Sequence, residues 1–226
     1  EKLKSLGDEG VLALVGDSTN AMRDGRSASE ADVAHTLMKI IADAPRCVAV
    51  TLFASNVARV ASIAEAARKS GRTLVVAGRA LHRIIEVAKE TGYLPESFTY
   101  LDQQRFSDLP RNKTLVLCTG SQGESRAAVA RIASEEHPDI SLDKGDLVIF
   151  SSRTIPGNEK AVSKVQNALA RIGVDLITDT DALVHVTGHP RREELKDMYA
   201  WLRPKLAVPM HGEARHLREH AKLARA

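Results

Sequence analysis

The chain is 226 residues long, 43% hydrophobic and 27% charged, with a formal charge of +3. No apolar run approaches the ~20 residues of a membrane span, so a membrane partner is excluded and a cytoplasmic location is the expectation. A charge this mild does not by itself call for nucleic acid, and the two cysteines, Cys47 and Cys118, sit in separate apolar runs without CxxC spacing, so they read as core thiols.

In chain order, GVLALVGDS (10–18) predicts a buried strand, and SASEADVAHTLMKIIADA (27–44) a helix opened by a capping box of Ser27 and Glu30. CVAVTLF (47–53) is the next strand. NVARVASIAEAARKSG (56–71) is a helix closed by Gly71 at C′. TLVVAG, RALHRIIEVAKETG, KTLVLCTG, GESRAAVARIASE, DLVIFSS and GNEKAVSKVQNALARIG continue the alternation as repeated βα units. Their strands are continuous apolar runs, which is the pattern of a mainly parallel sheet covered by helices on both faces. The fold class is therefore α/β, Rossmann-like. PESFTYLDQQRFSDLPRNK (95–113) reads as a long connection. From Val174 the elements shorten: VDLIT, LVHVTGH, a helix from about Arg191 to Leu202, the strand KLAVPM and a closing helix. Five of the eight histidines fall in this last stretch, where a domain boundary is expected.

In parallel sheets ligands gather beyond the carboxyl ends of the strands. The segments there are GDSTN (16–20), ASN (54–56), AGR (77–79), CTGSQGE (118–124), SSRTIPGN (151–158), HVTGH (185–189) and MHGE (210–213). Small hydroxyl, amide and glycine residues let backbone N–H groups approach an anion, so together these loops predict a phosphate site, although each alone is more readily read as a turn or a cap. Arg59, Arg79, Arg126, Arg153, Arg191 and Arg192 lie in or beside them and could grip a phosphodiester backbone. His185, His189 and His211 stand at strand ends or beside glycine, where a neutral imidazole can ligate a metal. One or two histidines do not make a catalytic zinc site, and no HxHxDH or HExxH occurs. His216 and His220, at i and i+4 on the last helix, read as surface residues.

GDSTNA, TLFASNVARV, CTGSQGE, FSSRTIPGN, HVTGH and PMHGE, in this order and at these separations, resemble the ribonuclease J family, the β-CASP branch of the metallo-β-lactamase-fold nucleases. The resemblance implies a zinc-dependent hydrolysis of RNA phosphodiester bonds by both 5′-to-3′ exonuclease and endonuclease action, on single-stranded RNA with a 5′-monophosphate. It implies that Asp17 orients His189, that His189 contacts the scissile phosphate, and that His211 ligates one of two zinc ions. His185, Thr187, Gly188, Ser121, Ser152 and Asn158 would hold phosphate or RNA; Thr187 stands where the family has serine.

By the same resemblance, residues 1–27 would end a first metallo-β-lactamase segment, 28–178 form the β-CASP domain and 179–226 return to the metallo-β-lactamase domain. The chain opens at Glu1, and the remaining metal ligands are expected outside it. The expectation is a fragment that binds no zinc pair and is inactive alone, from an enzyme that is homo-oligomeric when complete. A non-catalytic Rossmann-like module for phosphate or nucleotide is the competing reading. A relative acting on DNA or on messenger 3′ ends is another.

Overall fold

In β2 (Val48–Thr51), Val48 and Val50 enter one apolar cluster while Ala49 enters another, so a strand side chain finds cover whichever way it points. Leu115 and Leu117 against Val116 and Cys118 in β5 (Thr114–Cys118), and Leu74 and Val76 against Val75 and Ala77 in β3 (Thr73–Ala77), divide in the same way. That is why these strands are continuous apolar runs rather than alternating ones. The computed structural model in which these contacts occur describes residues 1–225 and separates into two compact units, one of 29–186 and one of 1–28 with 187–226. The sequence reading places its boundaries at 27/28 and 178/179. No helix among the described residues is long and apolar enough to cross a membrane.

The unit of residues 29–186 is a six-stranded, all-parallel sheet. Its order is β4 (Leu101–Asp102), β3, β5, β2, β6 (Leu147–Phe150) and β7 (Asp175–Ile177). Helices α2 (Glu30–Asp43), α3 (Val57–Lys69) and α4 (Arg79–Glu90) pack on one face through Leu37, Ile41, Ile63 and Ile85. Helices α5 (Ala128–Ala133) and α6 (Glu159–Arg171) cover the other through Val129, Ile132, Val162 and Leu169. Each such side chain, fully buried, contributes about 1.5–3 kcal/mol. Cys47 and Cys118 are fully buried in this second cluster, where burial pushes both thiols up to about 12. Gly71 follows the C-cap of α3 with φ of 65°, and its N–H donates to the Arg68 carbonyl.

Two expectations for this unit need correction. The capping box of α2 is Ser29 with Asp32, not Ser27 with Glu30; Glu30 instead faces Arg59, and the backbone N–H of Ser27 donates to Glu194. The 95–113 connection carries the edge strand β4 and two short 3-10 turns, at Gln103–Asp108 and Arg111–Lys113.

The other unit joins β1 (Ala13–Asp17) to β8 (Leu206–Met210) in parallel, with Ala13 opposite Leu206 and Asp17 opposite Met210. Helices α7 (Arg192–Leu202) and α8 (Ala214–Leu223) supply Leu195 and Leu223 to a small core with Ala21 and Tyr199. An eight-residue helix, α1 (Lys2–Glu9), was not anticipated. It is too short to show a period, and Gly7 in its middle argues against a helix on propensity. A Cβ on Gly7 would lie 2.0 Å from the Trp201 carbonyl oxygen, so the glycine is what admits α1 to its contact with α7. LVHVTGH forms no regular element. The expected buried strand at 10–18 is also corrected: β1 is there, but Leu12 and Val15 are 69% and 57% exposed, because β8 is its sole strand neighbour among the described residues.

Candidate metal and phosphate site

Parallel pairing brings the carboxyl ends of β1 and β8 to the same level, so Asp17 and the residue after Met210 meet although the chain between them is long. His211, just past Met210, has φ of 56°, a left-handed conformation that it shares with Glu135 and Arg203 and that costs a residue with a Cβ about 1 kcal/mol or more. A third segment is tied in by Asn20, which bridges to Arg191 and whose side chain donates to the His189 carbonyl at 3.0 Å.

The outcome is a cluster of Asp17, His189 and His211. Asp17 Oδ2 lies 2.9 Å from His189 Nδ1 and 2.5 Å from His211 Nδ1, and Asp17 Oδ1 accepts from the Thr19 N–H at 2.8 Å. The two rings are 5.4 Å apart. Partial burial alone would raise the Asp17 pKa, but hydrogen bonds from His211, the Thr19 backbone and His189 outweigh it and hold the carboxyl at about 2. Asp17 is thus an acceptor at any ordinary pH. Both imidazoles spend Nδ1 on it, and among the described residues neither Nε2 has a hydrogen-bond partner. The His211 side chain is 65% exposed.

One carboxylate oxygen and two imidazole nitrogens lie within 4.8 Å of one another, atoms of the kind zinc takes, but Asp17 is already the hydrogen-bond partner of both rings, so the cluster is not by itself a three-ligand zinc site. The motif-based expectation counted His211 alone. A carboxylate on Nδ1 also fixes the tautomer that offers Nε2, the usual way an outer carboxylate prepares a ligating or acid–base histidine.

Around the cluster, Thr187 Oγ1 accepts from the His189 N–H at 3.2 Å and shapes its turn, while Gly188 is exposed with nothing near its Cα face. His220, expected at the surface, is instead fully buried: Nδ1 meets Ser18 Oγ at 2.8 Å and Nε2 meets the Tyr199 hydroxyl at 2.9 Å. Its burial lowers its pKa, which favours the neutral ring. His216 is half-buried, and its Nδ1 accepts from the Glu213 N–H. Arg192 pairs with Asp24 at 3.3 Å and donates to the Ala21 carbonyl.

In the unit of 29–186, β5, β2 and β6 are neighbours, so the loops after them leave the same edge of the sheet. Gln122 joins two of these loops. Its amide donates to the Arg153 carbonyl at 3.0 Å and accepts from the Ile155 N–H at 2.8 Å and from Asn158. Gly123 is required there, since a Cβ would lie 2.4 Å from the backbone of Ala161. Ser121 and Ser152 are buried, Asn158 half-buried, and His185 half-buried with its Nδ1 sealed from solvent and unpartnered. Arg79 and Arg126 are exposed, and Arg153 pairs with Asp179. Arg59 cannot grip a backbone as expected. It is 0% exposed, bound to both Glu30 oxygens, to Ser151 Oγ at 2.6 Å and to the Val184 carbonyl at 2.8 Å. Sequence reading missed Gln122, Asn20, Ser18 and His220 as organisers; only the position of the first three within the Ser/Asn/Gly loops signalled them.

The doubly wound sheet of 29–186 and the exposed His/Asp cluster of the other unit are those of an α/β protein. The ribonuclease J beta-CASP domain family matches residues 45–169, and the Zn-dependent metallo-hydrolase RNA specificity domain family matches 173–226. The chain belongs to the ribonuclease J beta-CASP family. A ribonuclease J of Sinorhizobium meliloti is 50% identical, covering 98% of this chain and 39% of its own length. A ribonuclease J of Corynebacterium glutamicum is 45% identical, over 98% of this chain and 31% of its own length, and ribonuclease J2 of Bacillus subtilis is 36% identical, over 99% and 40%. The chain spans about 40% or less of the length of these relatives.

Proposed function

We propose that this chain supplies the β-CASP domain (28–178) and the flanking metallo-β-lactamase segments (1–27 and 179–226) of a zinc-dependent ribonuclease that hydrolyses RNA phosphodiester bonds. The observation that carries the reading is the convergence of Asp17, His189 and His211 on one exposed cluster. Relatives named ribonuclease J and the zinc-dependent metallo-hydrolase family support the chemistry. The bare face of the β1–β8 sheet, with Val15, Leu206, Val208 and Met210 all exposed, supports its belonging to a larger domain in the complete protein.

His211 is the zinc ligand this chain contributes to a two-zinc centre, the other ligands lying outside it. Zinc held there supplies Lewis acidity and an activated water. Asp17 is a positioning residue: it accepts from His189 Nδ1, leaving Nε2 to contact the scissile phosphate. His185, Thr187, Gly188, Ser121, Ser152 and Asn158 bind phosphate and RNA. The substrate is single-stranded RNA, preferentially 5′-monophosphorylated, attacked 5′-to-3′ and internally by a homo-oligomer in the cytoplasm. Contacts to the backbone predict weak sequence preference and strong salt dependence. The chain alone, with a lone assigned ligand, binds no zinc pair and is inactive.

The test is zinc content and RNA cleavage of the complete protein with and without His211→Ala. Loss of zinc and of cleavage is the expected result. Retention of all metal at full rate removes His211 from the centre.

A further inference from the structure

We infer that Ser18, His220 and Tyr199 form a buried strut that positions Asp17, and through it both imidazoles of the cluster. The inference rests on the hydrolytic reading above and adds to it a positioning role for residues that touch no substrate.

Ser18 directly follows Asp17. Its backbone N–H donates to the carbonyls of Met210 and His211, at 2.9 and 3.2 Å, so its main chain is already tied to the segment that carries His211. Its side chain is tied the other way. Ser18 Oγ meets His220 Nδ1, and His220 Nε2 meets the Tyr199 hydroxyl, which ends the chain of bonds in the small core of Ala21, Leu195 and Leu223. Ser18 and His220 are both 0% exposed. A buried hydroxyl and a buried imidazole with all ring nitrogens engaged have few alternative arrangements, because any rotation leaves a polar atom unpaired at about 1–3 kcal/mol. Gly16 completes the fit: a Cβ there would lie 3.0 Å from His220 Cε1, so a side chain would require the imidazole to shift by a few tenths of an ångström. Asp17 therefore sits between two fixed neighbours, Gly16 packed on the His220 ring and Ser18 bonded to it. No hydrogen bond joins His220 to Asp17, His189 or His211 among the described residues, so its influence passes through Ser18.

The alternative is that His220 merely cements α8 into the core. Two substitutions in the complete protein separate the roles. The amide of His220→Asn reaches the level of Nδ1 and can keep the Ser18 bond. That of His220→Gln reaches the level of Nε2 and can keep only the Tyr199 bond. The readings are kcat and KM on 5′-monophosphorylated single-stranded RNA, the histidine ring-proton NMR signals of His189 and His211 in zinc-free protein, and Tm. Since an ångström of misplacement can cost up to about a hundredfold, H220Q is expected to lose about tenfold or more in kcat with KM within about threefold, and H220N to stay within about threefold of the parent in both. Ring signals of His189 and His211 move in H220Q and hold in H220N, while Tm falls alike in the two. Equal losses in kcat, or unmoved ring signals in H220Q, overturn the strut. If the parent protein fails to cleave RNA yet the ring signals divide in this way, the hydrolytic reading falls and the strut stands. Should H220Q not fold, Ser18→Ala removes the same bond with a single hydroxyl, and the same readings decide.

Discussion

Every residue of β2 and β5 is buried, whereas in the two-stranded sheet Val15 and Val208 are 57% and 45% exposed. The segments themselves, VAVT and TLVLC against ALVGD and LAVPM, are of one kind. Apolar runs ask for cover on both faces, but the cover comes from other elements, here α2 to α6 for the large sheet, and the small sheet has none on its bare face. The chemistry follows the same division. The reactive-looking cluster stands on the less covered pair of strands, where two histidines can remain accessible, and the fully buried arginine, Arg59, paired with a half-exposed Glu30, belongs to the well-covered sheet.

The contrast breaks most visibly at Asp17. In the complete protein Asp17→Asn keeps the shape but removes the charge that both imidazoles share, and RNA cleavage is expected to fall about a thousandfold or more, with Tm lowered by only a few degrees. A variant that keeps its rate, measured as kcat/KM, would show that the cluster is only structural. Next in size is Arg59→Leu. Removing the buried guanidinium costs its hydrogen bonds to Ser151 and Val184, while the half-exposed Glu30 returns to water, so about 1–3 kcal/mol is expected in urea unfolding, the opposite pattern of stability loss at a fully buried side chain. Nearly unchanged stability would show that the hub is replaceable by apolar packing.

A third test uses pH. The folded Asp17 pKa of about 2 lies below the ~3.9 of an unfolded aspartate, so its stabilisation is fully present above about pH 4 and is lost as pH falls toward 2. Because its histidine partners are largely exposed, about 1–2 kcal/mol at most is expected. The stability difference between parent and Asp17→Asn should shrink over that interval, and a constant difference would show that the charge does not carry it. The smallest effect sharpens the comparison: Val15→Thr should change the stability of this chain alone by less than about 0.5 kcal/mol, as at other exposed positions. A larger loss in the complete protein would measure the cover the bare face receives there.

Strands β2, β3, β5 and β6 of the large sheet were legible because cover on both faces writes itself as uninterrupted Val, Leu and Ala, whereas the two-residue β4 lay in the stretch read as a connection. What local pattern could not show was α1, too short and glycine-bearing, or the two-residue displacement of the α2 cap, where Ser27 and Ser29 offer equivalent signals. At the site, Asp17, His189 and His211 stood out through their neighbours in GDSTN, HVTGH and PMHGE, and the fold brings the three together. His220 was misread because i, i+4 spacing on a charged helix looks like a solvated face; only the meeting of α8 with Ser18 and Tyr199 buries it. Arg59 was misread likewise, since a loop-flanking arginine and a core arginine look the same until Ser151 and Val184 arrive beside it.

The in-register pairing of Asp17 with Met210 has a further consequence for how such a chain can vary. Alignment is enforced by the two strands themselves, not by the tether that runs from Ser29 to Val186. Doubling the length of a flexible tether costs only about 0.6 kcal/mol in closure entropy. Loops within the intervening unit can thus vary in length at little cost to the register that sets an acid opposite the strand leading to an imidazole.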